Sequence, residues 1–200
     1  MLLVIAAIAF DLMDTAVRDP YREALEAATG LPIEELFRRR SGHAYPALER
    51  GEMAEEDYWA VFAAAGIEVD PAEFHRVRRE GTTWMPGMAE LLDDLDGVVV
   101  RATASNYPDW IEELALGPLA GRFDRVLASC HLGVRKPEPA FFTRLLDELA
   151  LPPGEVLFVD DREENVVAAR AVGLASHRFR GAAELRAWLV GHGVPVPAAA

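Results

Sequence analysis

Short apolar runs alternate with amphipathic helical patterns along most of the chain. The runs, each predicted to form a buried strand, are Leu2–Phe10, Val98–Ala102, Arg125–Ala128, Val156–Val159 and Leu174–Phe179. The helical patterns between and after them are Pro86–Asp96, Pro108–Leu116, Pro137–Ala150, Arg162–Val172 and Ala182–Val190. Strands that alternate with helices are typical of an α/β fold. The pattern therefore predicts a Rossmann-like parallel sheet with helices on both faces.

Residues 16–85 interrupt this alternation, because they contain helical patterns and no convincing strand. The four helix-like segments are Pro20–Thr29, Pro32–Arg40, Ala54–Ala65 and Pro71–Glu80. We interpret residues 16–85 as a small α-helical cap that is inserted after the first strand. The core domain then consists of residues 1–15 and 86–200.

Polar groups follow the first four predicted strands of the core. They are Asp11, Met13 with its main-chain carbonyl, Asp14 and Thr15, then Thr103, Ser105 and Asn106, then Arg135 and Lys136, and finally Asp160, Asp161 and Asn165. In an open parallel sheet the ligand lies at the carboxyl ends of the strands, so we expect these groups to meet. Taken singly, an Asp or Ser after a strand is more often the N-cap of the next helix. Together, carboxylates at one edge of a sheet repel one another unless a hard cation such as Mg²⁺ holds them.

The composition limits the classes of partner that the protein is expected to bind. A net charge of −13 argues against nucleic acids and anionic membranes, which are themselves polyanions. The longest apolar run, Met1–Phe10, is about half the length that spans a bilayer, and it lacks the features of a signal peptide. With one cysteine, Cys130, the sequence predicts no internal disulfide, and we expect a cytoplasmic location. Nineteen of the twenty basic residues are Arg, so the single Lys136 stands out.

Four segments, in order, resemble the motifs of the haloacid dehalogenase superfamily. They are Phe10-Asp-Leu-Met-Asp-Thr15, Ala104-Ser-Asn-Tyr107, Gly133-Val-Arg-Lys-Pro-Glu-Pro139 and Phe158-Val-Asp-Asp-Arg-Glu-Glu-Asn165. The helical insert lies where that superfamily places its helical cap. Within the superfamily, Met13-Asp-Thr-Ala-Val-Arg-Asp-Pro-Tyr21 and Ser105-Asn-Tyr-Pro-Asp-Trp110 are similar to the flavin mononucleotide hydrolase group.

This resemblance implies a Mg²⁺-dependent phosphatase acting on a small phosphorylated metabolite, with flavin mononucleotide (FMN) as one candidate. Asp11 would be the nucleophile that forms an aspartyl-phosphate. Ser105, Asn106 and Lys136 would bind the phosphoryl group. The magnesium ligands would be Asp11, the main-chain carbonyl of Met13 and Asp161. Asp160 would lie in the outer coordination sphere of the ion. The sequence does not indicate an oligomeric state.

Met13 departs from the phosphatase pattern. Family phosphatases usually carry a second Asp at this position, where it protonates the leaving group, and losing such an acid typically slows a reaction about 10²–10⁴-fold. Asp14 is the substitute that we expect, although a role in the turn is an equal alternative. Two other functions remain open: hydrolysis of a 2-haloacid, and a catalytically weak binding or regulatory protein. The acidic pair Asp160 and Asp161 favours metal-dependent phosphoryl chemistry over dehalogenation.

Overall fold

A parallel sheet of four strands forms the centre of the protein. The computed structural model describes residues 4–40 and 42–197. The strands are β1 (Ala7–Phe10), β2 (Val100–Thr103), β3 (Val156–Asp160) and β4 (Ala175–Arg178), in the order β2-β1-β3-β4. Strand β1 therefore lies between β2 and β3, in the middle of the sheet. Residues 1–3 of the predicted first strand, and residues 198–200 of the predicted core, lie outside the described residues.

Side chains of the central strand alternate between two hydrophobic cores. Ile8 and Phe10 of β1 pack in the larger core, whereas Ala7 and Ala9 pack on the opposite face of the sheet. All four residues are fully buried. Successive residues of a strand point to opposite faces, so a continuous apolar run is what a strand covered on both faces requires. The prediction of an α/β fold with a parallel sheet and helices on both faces is confirmed.

Helices cover both faces of this sheet. Five consecutive helices follow β1 in the sequence: α1 (Tyr21–Thr29), α2 (Ile33–Arg39), α3 (Ala44–Glu49), α4 (Glu55–Ala64) and α5 (Pro71–Gly81). The others are α6 (Met88–Asp94), α7 (Ile111–Leu116), α8 (Ser129–Leu132), α9 (Pro139–Leu149), α10 (Glu163–Ala171) and α11 (Ala182–Gly191). We call residues 21–81 the inserted helices. The division into a core domain and a cap domain stays a prediction.

The predicted strand at Arg125–Ala128 is wrong as a strand of the sheet. The segment runs beside β2 but makes only isolated bridges, between Ala102 and Arg125 and between Ser105 and Ala128. The Thr103 hydroxyl is the physical reason, because it takes both main-chain groups of Leu127. It donates to the Leu127 carbonyl at 2.8 Å and accepts from the Leu127 amide at 2.7 Å. The hydroxyl thus replaces the carbonyl with which the Leu127 amide would pair in a regular ladder, while the Leu127 carbonyl also accepts from the Ser105 amide at 3.4 Å.

Two short helices, α3 and α8, are absent from the predicted pattern. Each is shorter than two turns, so neither repeats an apolar position often enough to give a helical period. The predicted start of α9 at Pro137 is also wrong, because the helix begins two residues later, at Pro139. Proline at the first helical position is the arrangement that this residue prefers. None of the helices in the described part of the chain has the length and apolar composition that crossing a bilayer requires.

Arg78 of α5 connects the inserted helices to α7 and to the loop that follows β2. Its side chain is 1% exposed, which is exceptional for a charged residue. The guanidinium forms an ion pair with Glu113 of α7 and donates to the Tyr107 hydroxyl at 3.3 Å. It also lies over the Trp110 ring, 5.5 Å from the ring centroid. These contacts satisfy the buried charge and hold α5 against the loop that follows β2.

We expect Arg78→Met to lower the free energy of unfolding by about 1–3 kcal/mol, because it removes charge-assisted hydrogen bonds from a buried position. Urea unfolding followed by circular dichroism measures this change. Arg76→Met is the matched control, since Arg76 lies on the same helix and pairs with Glu73 and Glu80 at an exposed face. The control should cost less than about 1 kcal/mol. Equal losses in the two variants would show that the Arg78 contacts contribute nothing specific.

Candidate active site

Three carboxylates meet at the carboxyl end of the sheet. Asp11 directly follows β1, Asp160 is the last residue of β3, and Asp161 comes next. Each of the three offers an oxygen that lies within 4.8 Å of those of the other two. Asp11 and Asp160 are buried, at 7% and 0% exposed, and Asp161 is half-buried. The sequence predicted this convergence from the strand ends, and the geometry brings the three side chains together.

The Lys136 ammonium lies between two of these carboxylates. Its Nζ donates to Asp11 Oδ1 at 2.7 Å and to Asp160 Oδ2 at 2.6 Å, and the side chain is 1% exposed. Burial alone would lower the pKa of Lys136, but the two carboxylates outweigh it and raise the pKa above its usual value. Burial raises the pKa of the Asp11 carboxyl, and the lysine opposes that shift. The ammonium is therefore charged and compensates part of the buried negative charge.

Asn106 holds Lys136 in place through the main chain. Its side-chain nitrogen donates to the Lys136 carbonyl at 2.9 Å, and its side-chain oxygen accepts from the Lys136 amide at 2.8 Å. The sequence predicted Asn106 as a phosphate-binding residue. That role stays a prediction; the side-chain amide is engaged by the lysine loop, so that the side chain also positions Lys136.

Asp160 and Asp161 differ in their partners. The Asp160 oxygens accept hydrogen bonds from Lys136, from the Arg162 amide at 2.9 Å and from the Asn165 side chain at 3.0 Å. The Asp161 carboxylate accepts none within the described part of the chain. Burial and the neighbouring Asp160 raise the pKa of the Asp161 carboxyl. Asp161 is thus free to bind a cation directly, whereas Asp160 is already satisfied by the protein.

Thr15 is a site residue to which the sequence analysis assigned no role. Its hydroxyl donates to Asp11 Oδ2 at 3.3 Å and accepts from the Asp161 amide at 3.1 Å. It therefore links the loop after β1 to the loop after β3. Its position four residues after Asp11 was the available signal, but a Thr after a strand is equally compatible with a turn.

The Ser105 hydroxyl is a buried donor that has no acceptor. The residue is 1% exposed, and its Oγ has no hydrogen-bond partner among the described residues. Ser105 lines the same cavity as Asp11 and Lys136. Leaving a buried hydroxyl unpaired costs about 1–3 kcal/mol, so such a group inside a cavity is typical of a ligand contact.

Met13 and Asp14 lie in the loop immediately after Asp11. Met13 is half-buried and lines the cavity, and its carbonyl oxygen accepts no hydrogen bond within residues 4–40 and 42–197. Asp14 has a φ of 59°, a left-handed conformation that Asp tolerates better than most residues. Its Oδ1 accepts from the Asp19 amide at 3.1 Å. Asp14 thus has a role in the turn, and its side chain also borders the cavity.

One cavity of about 280 Å³ contains these groups. It is lined by Asp11, Met13, Asp14, Asp19, Tyr45, Glu49, Ser105, Asn106, Tyr107, Arg135, Lys136, Asp161, Arg162 and Asn165. Helix α3 contributes Tyr45 and Glu49, and sequence reasoning did not select Glu49 because the helix itself was not predicted. The inserted helices therefore supply part of the wall that faces Asp11.

Helix α3 is attached to the loop that carries Lys136. Glu49 is 4% exposed and forms an ion pair with Arg135 Nε at 2.6 Å. The next residue, Arg50, pairs with Glu138 at 2.9 Å. Burial raises the pKa of Glu49 to about 7, although Arg135 opposes this shift. The last residue of α3 and the residue that caps it thus contact residues on either side of Lys136.

The donor set fits magnesium. Asp11 and Asp161 offer carboxylate oxygens, the Met13 carbonyl has no other partner among the described residues, and Asp160 lies beside them. Magnesium prefers hard oxygen ligands and keeps coordination positions for water and phosphate. The cluster contains no sulfur or imidazole ligand of the kind that zinc sites use.

Comparison with known proteins identifies a family, and relatives that align over most of the chain. The sequence model of a family described as haloacid dehalogenase-like hydrolase matches residues 5–173. Flavin mononucleotide hydrolase 1 of the Arabidopsis thaliana chloroplast is 32% identical over 181 residues, which cover 88% of this chain and 73% of that protein. The family match spans strands β1 to β3, the inserted helices and all the site residues described above.

Two solved structures share the fold. A haloacid dehalogenase family enzyme of Bacteroides thetaiotaomicron, in complex with magnesium and inorganic phosphate, aligns with a TM-score of 0.72 and 18% identity over 88% of this chain and 95% of that chain. The L-2-haloacid dehalogenase of Xanthobacter autotrophicus aligns with a TM-score of 0.65 and 24% identity over 97% of this chain and 85% of that chain. At these identities the two likenesses establish the fold alone.

We expect Mg²⁺ to raise the melting temperature, because a ligand that binds only the folded state stabilises it, by about 2.7 kcal/mol at 100 times its Kd. Asp161→Asn should abolish most of this shift. Asp147→Asn is the control, since Asp147 is exposed on α9 and has no side-chain partner in the described structure. Differential scanning calorimetry at constant ionic strength measures the shifts. An unchanged shift in Asp161→Asn would place the magnesium site elsewhere.

Proposed function

The chain belongs to the haloacid dehalogenase-like hydrolase family, and from this premise we propose that it is a Mg²⁺-dependent phosphomonoester hydrolase. It acts on a small phosphorylated metabolite through an aspartyl-phosphate on Asp11. Flavin mononucleotide is the first candidate substrate, because the Arabidopsis relative is named for its hydrolysis.

One observation carries this proposal: the carboxylates of Asp11, Asp160 and Asp161 converge beside the unpaired Ser105 hydroxyl. Three carboxylates and one lysine leave a net negative charge in a buried site. A dianionic phosphate would be repelled from such a site without a divalent cation. Mg²⁺, when bound, supplies the positive charge that neutralises the phosphoryl oxygens. Replacement of a halide from a small acid places no such demand on the site.

In the proposed reaction, an Asp11 oxygen attacks phosphorus while the bond from phosphorus to the leaving oxygen breaks. The alcohol departs with one proton, and the phosphoryl group remains on Asp11. Water then attacks this phosphorus, which releases inorganic phosphate and regenerates the Asp11 carboxylate. Ser105 donates to a phosphoryl oxygen, and Lys136 keeps its charge next to the group that is transferred.

The proton for the leaving alcohol comes, in this proposal, from Asp14. Met13 cannot donate one, whereas Asp14 borders the same cavity. One Asp14 oxygen is held by the Asp19 amide, and the other has no partner among the described residues. The carboxyl group is thus fixed by its turn with one oxygen available.

The inserted helices act as a cap that closes over the site. The two chain segments that connect them to the sheet domain lie side by side: the Arg18 amide donates to the Thr83 carbonyl at 2.8 Å, and the Met85 amide donates to the Ala16 carbonyl at 2.9 Å. Such a two-stranded connection is a suitable hinge for rigid-body movement. Closure excludes water before Asp11 attacks.

Dehalogenation is the second candidate, and Met13 favours it. An apolar side chain two residues after the nucleophile suits a halogenated carbon better than a phosphoryl leaving group. In this case the protein would release halide from an L-2-haloacid without added metal.

The test is a panel of phosphate esters that includes p-nitrophenyl phosphate and FMN, with Mg²⁺ or with EDTA, and L-2-chloropropionate as the haloacid. We expect phosphate release only with Mg²⁺. Asp11→Asn should lower kcat on the order of 10³-fold or more, because it removes the nucleophile, and should leave the melting temperature nearly unchanged. Retention of more than about a few per cent of the activity would contradict the covalent mechanism. Metal-independent halide release would identify a dehalogenase.

A second prediction concerns the proton donor. Asp14→Asn should slow alkyl esters such as FMN by roughly 10²–10⁴-fold and leave p-nitrophenyl phosphate within about threefold, because p-nitrophenolate departs without protonation. Steady-state kcat for both esters measures the difference. Asparagine keeps the oxygen that accepts from the Asp19 amide, so the turn is preserved. Equal slowing of both esters would assign Asp14 to the turn alone.

A further inference from the structure

The cavity at Asp11 extends past the phosphoryl-binding residues towards the inserted helices. Its phosphoryl end is marked by the buried, unpaired Ser105 hydroxyl. The wall beyond that end is formed by Asp14, Asp19, Tyr45, Glu49 and Tyr107. An alcohol that leaves from a phosphate at Ser105 must occupy this part of the cavity.

Every cation that lines the cavity already has a carboxylate partner. Arg135 Nε lies 2.6 Å from Glu49, Lys136 Nζ lies 2.7 Å from Asp11, and Arg162 lies 2.6 Å from Glu164. A second anionic group on a substrate would therefore find no unpaired cation among the described lining residues.

Unlike these cations, the Asp19 carboxylate lacks a partner of opposite charge among the described residues. Its Oδ1 accepts from the Tyr21 amide at 2.9 Å, and the carboxylate has no ion pair within the described part of the chain. Burial raises the pKa of Asp19 to about 6, so the group is still ionised at pH 8. An unpaired carboxylate on a cavity wall attracts hydroxyl or ammonium donors and repels anions.

The size of the cavity limits what can lie inside it. Its volume of about 280 Å³ lies at the lower end of the range of roughly 300–1,000 Å³ that is usual for small-molecule pockets. This space holds a phosphate and a short polar chain. A larger alcohol has to place its distal part outside the cavity in this conformation.

Resting on the proposed phosphatase function, we propose that Asp19 is a specificity-determining residue that selects monophosphate esters of uncharged or cationic alcohols. The part of the alcohol next to the phosphate carries hydroxyl or ammonium donors. Alcohols with a carboxylate or a second phosphate near the ester are rejected. Selection by an unfavourable charge contact is a common way to exclude a competing ligand.

The experiment compares three esters with two-carbon leaving groups at pH 8 with Mg²⁺: 2-hydroxyethyl phosphate, O-phosphoethanolamine and 2-phosphoglycolate. They share the ester end and differ in the terminal group, which is a neutral hydroxyl, a cationic ammonium and an anionic carboxylate. For the wild type we expect kcat/KM on 2-phosphoglycolate to be at least about tenfold below that on the neutral ester. Asp19→Asn should narrow this gap to less than about threefold and should lower the preference for the ammonium ester.

Asp57→Asn is the matched control, because it removes the same charge from an exposed position on α4. It should leave all three ratios unchanged, and p-nitrophenyl phosphate turnover checks that each variant is active. A wild type that hydrolyses all three esters equally, or an Asp19→Asn variant that slows them uniformly, overturns the specificity proposal. Failure of the proposed function is distinct from this, since p-nitrophenyl phosphate would then not be hydrolysed at all.

Discussion

The buried ammonium of Lys136 is the interaction on which the arrangement of the site depends. Removing two carboxylates and an ammonium from water is costly, and only close pairing offsets that cost. The two pairs, at 2.7 and 2.6 Å, use two of the three donors of the ammonium and leave one for a bound oxygen. The rings of Phe141 and Phe158 lie 5.9 and 5.5 Å from Nζ and supply the apolar floor. A lysine fits this space as a compact charge, in a chain that otherwise uses arginine.

The position of this lysine is linked to that of the inserted helices. Glu49 and Arg50 contact residues 135 and 138, and the Ser129 hydroxyl donates to the Glu49 carbonyl at 2.5 Å. The same serine accepts from the Tyr107 amide at 3.0 Å, next to Asn106. The contacts that attach α3 therefore belong to the same network that orients Lys136. The loops that carry Asn106 and Lys136 are thus connected to α3 through a few hydrogen bonds and ion pairs, although they belong to no common helix.

The sequence predicts the sheet and the strand-end residues well because both follow from strong local signals. A fully buried strand needs an uninterrupted apolar run, and the first polar residue after it marks the edge where Asp11 and Asp160 meet. The sequence does not predict α3, whose few residues give no period, and so Glu49 goes unselected. Nor does it predict the pairing of Asn106 with Lys136, because residues 30 positions apart meet only through the tertiary fold. Asp19 is equally hidden, since an Asp before a helix is usually just a cap.

The paired segments around residues 16–18 and 83–85 have an evolutionary consequence. The chain leaves the sheet domain and returns to it at nearly the same point, so that β1 and β2 can pair whatever lies between them. The entropy of closing a loop grows only slowly with its length, and an insertion of this size therefore adds little to the cost of forming the sheet. A different helical segment could be grafted between the same two positions while the strand ends that carry Asp11, Ser105 and Asp160 stay as they are. Catalytic machinery and substrate preference can thus diverge separately in this architecture.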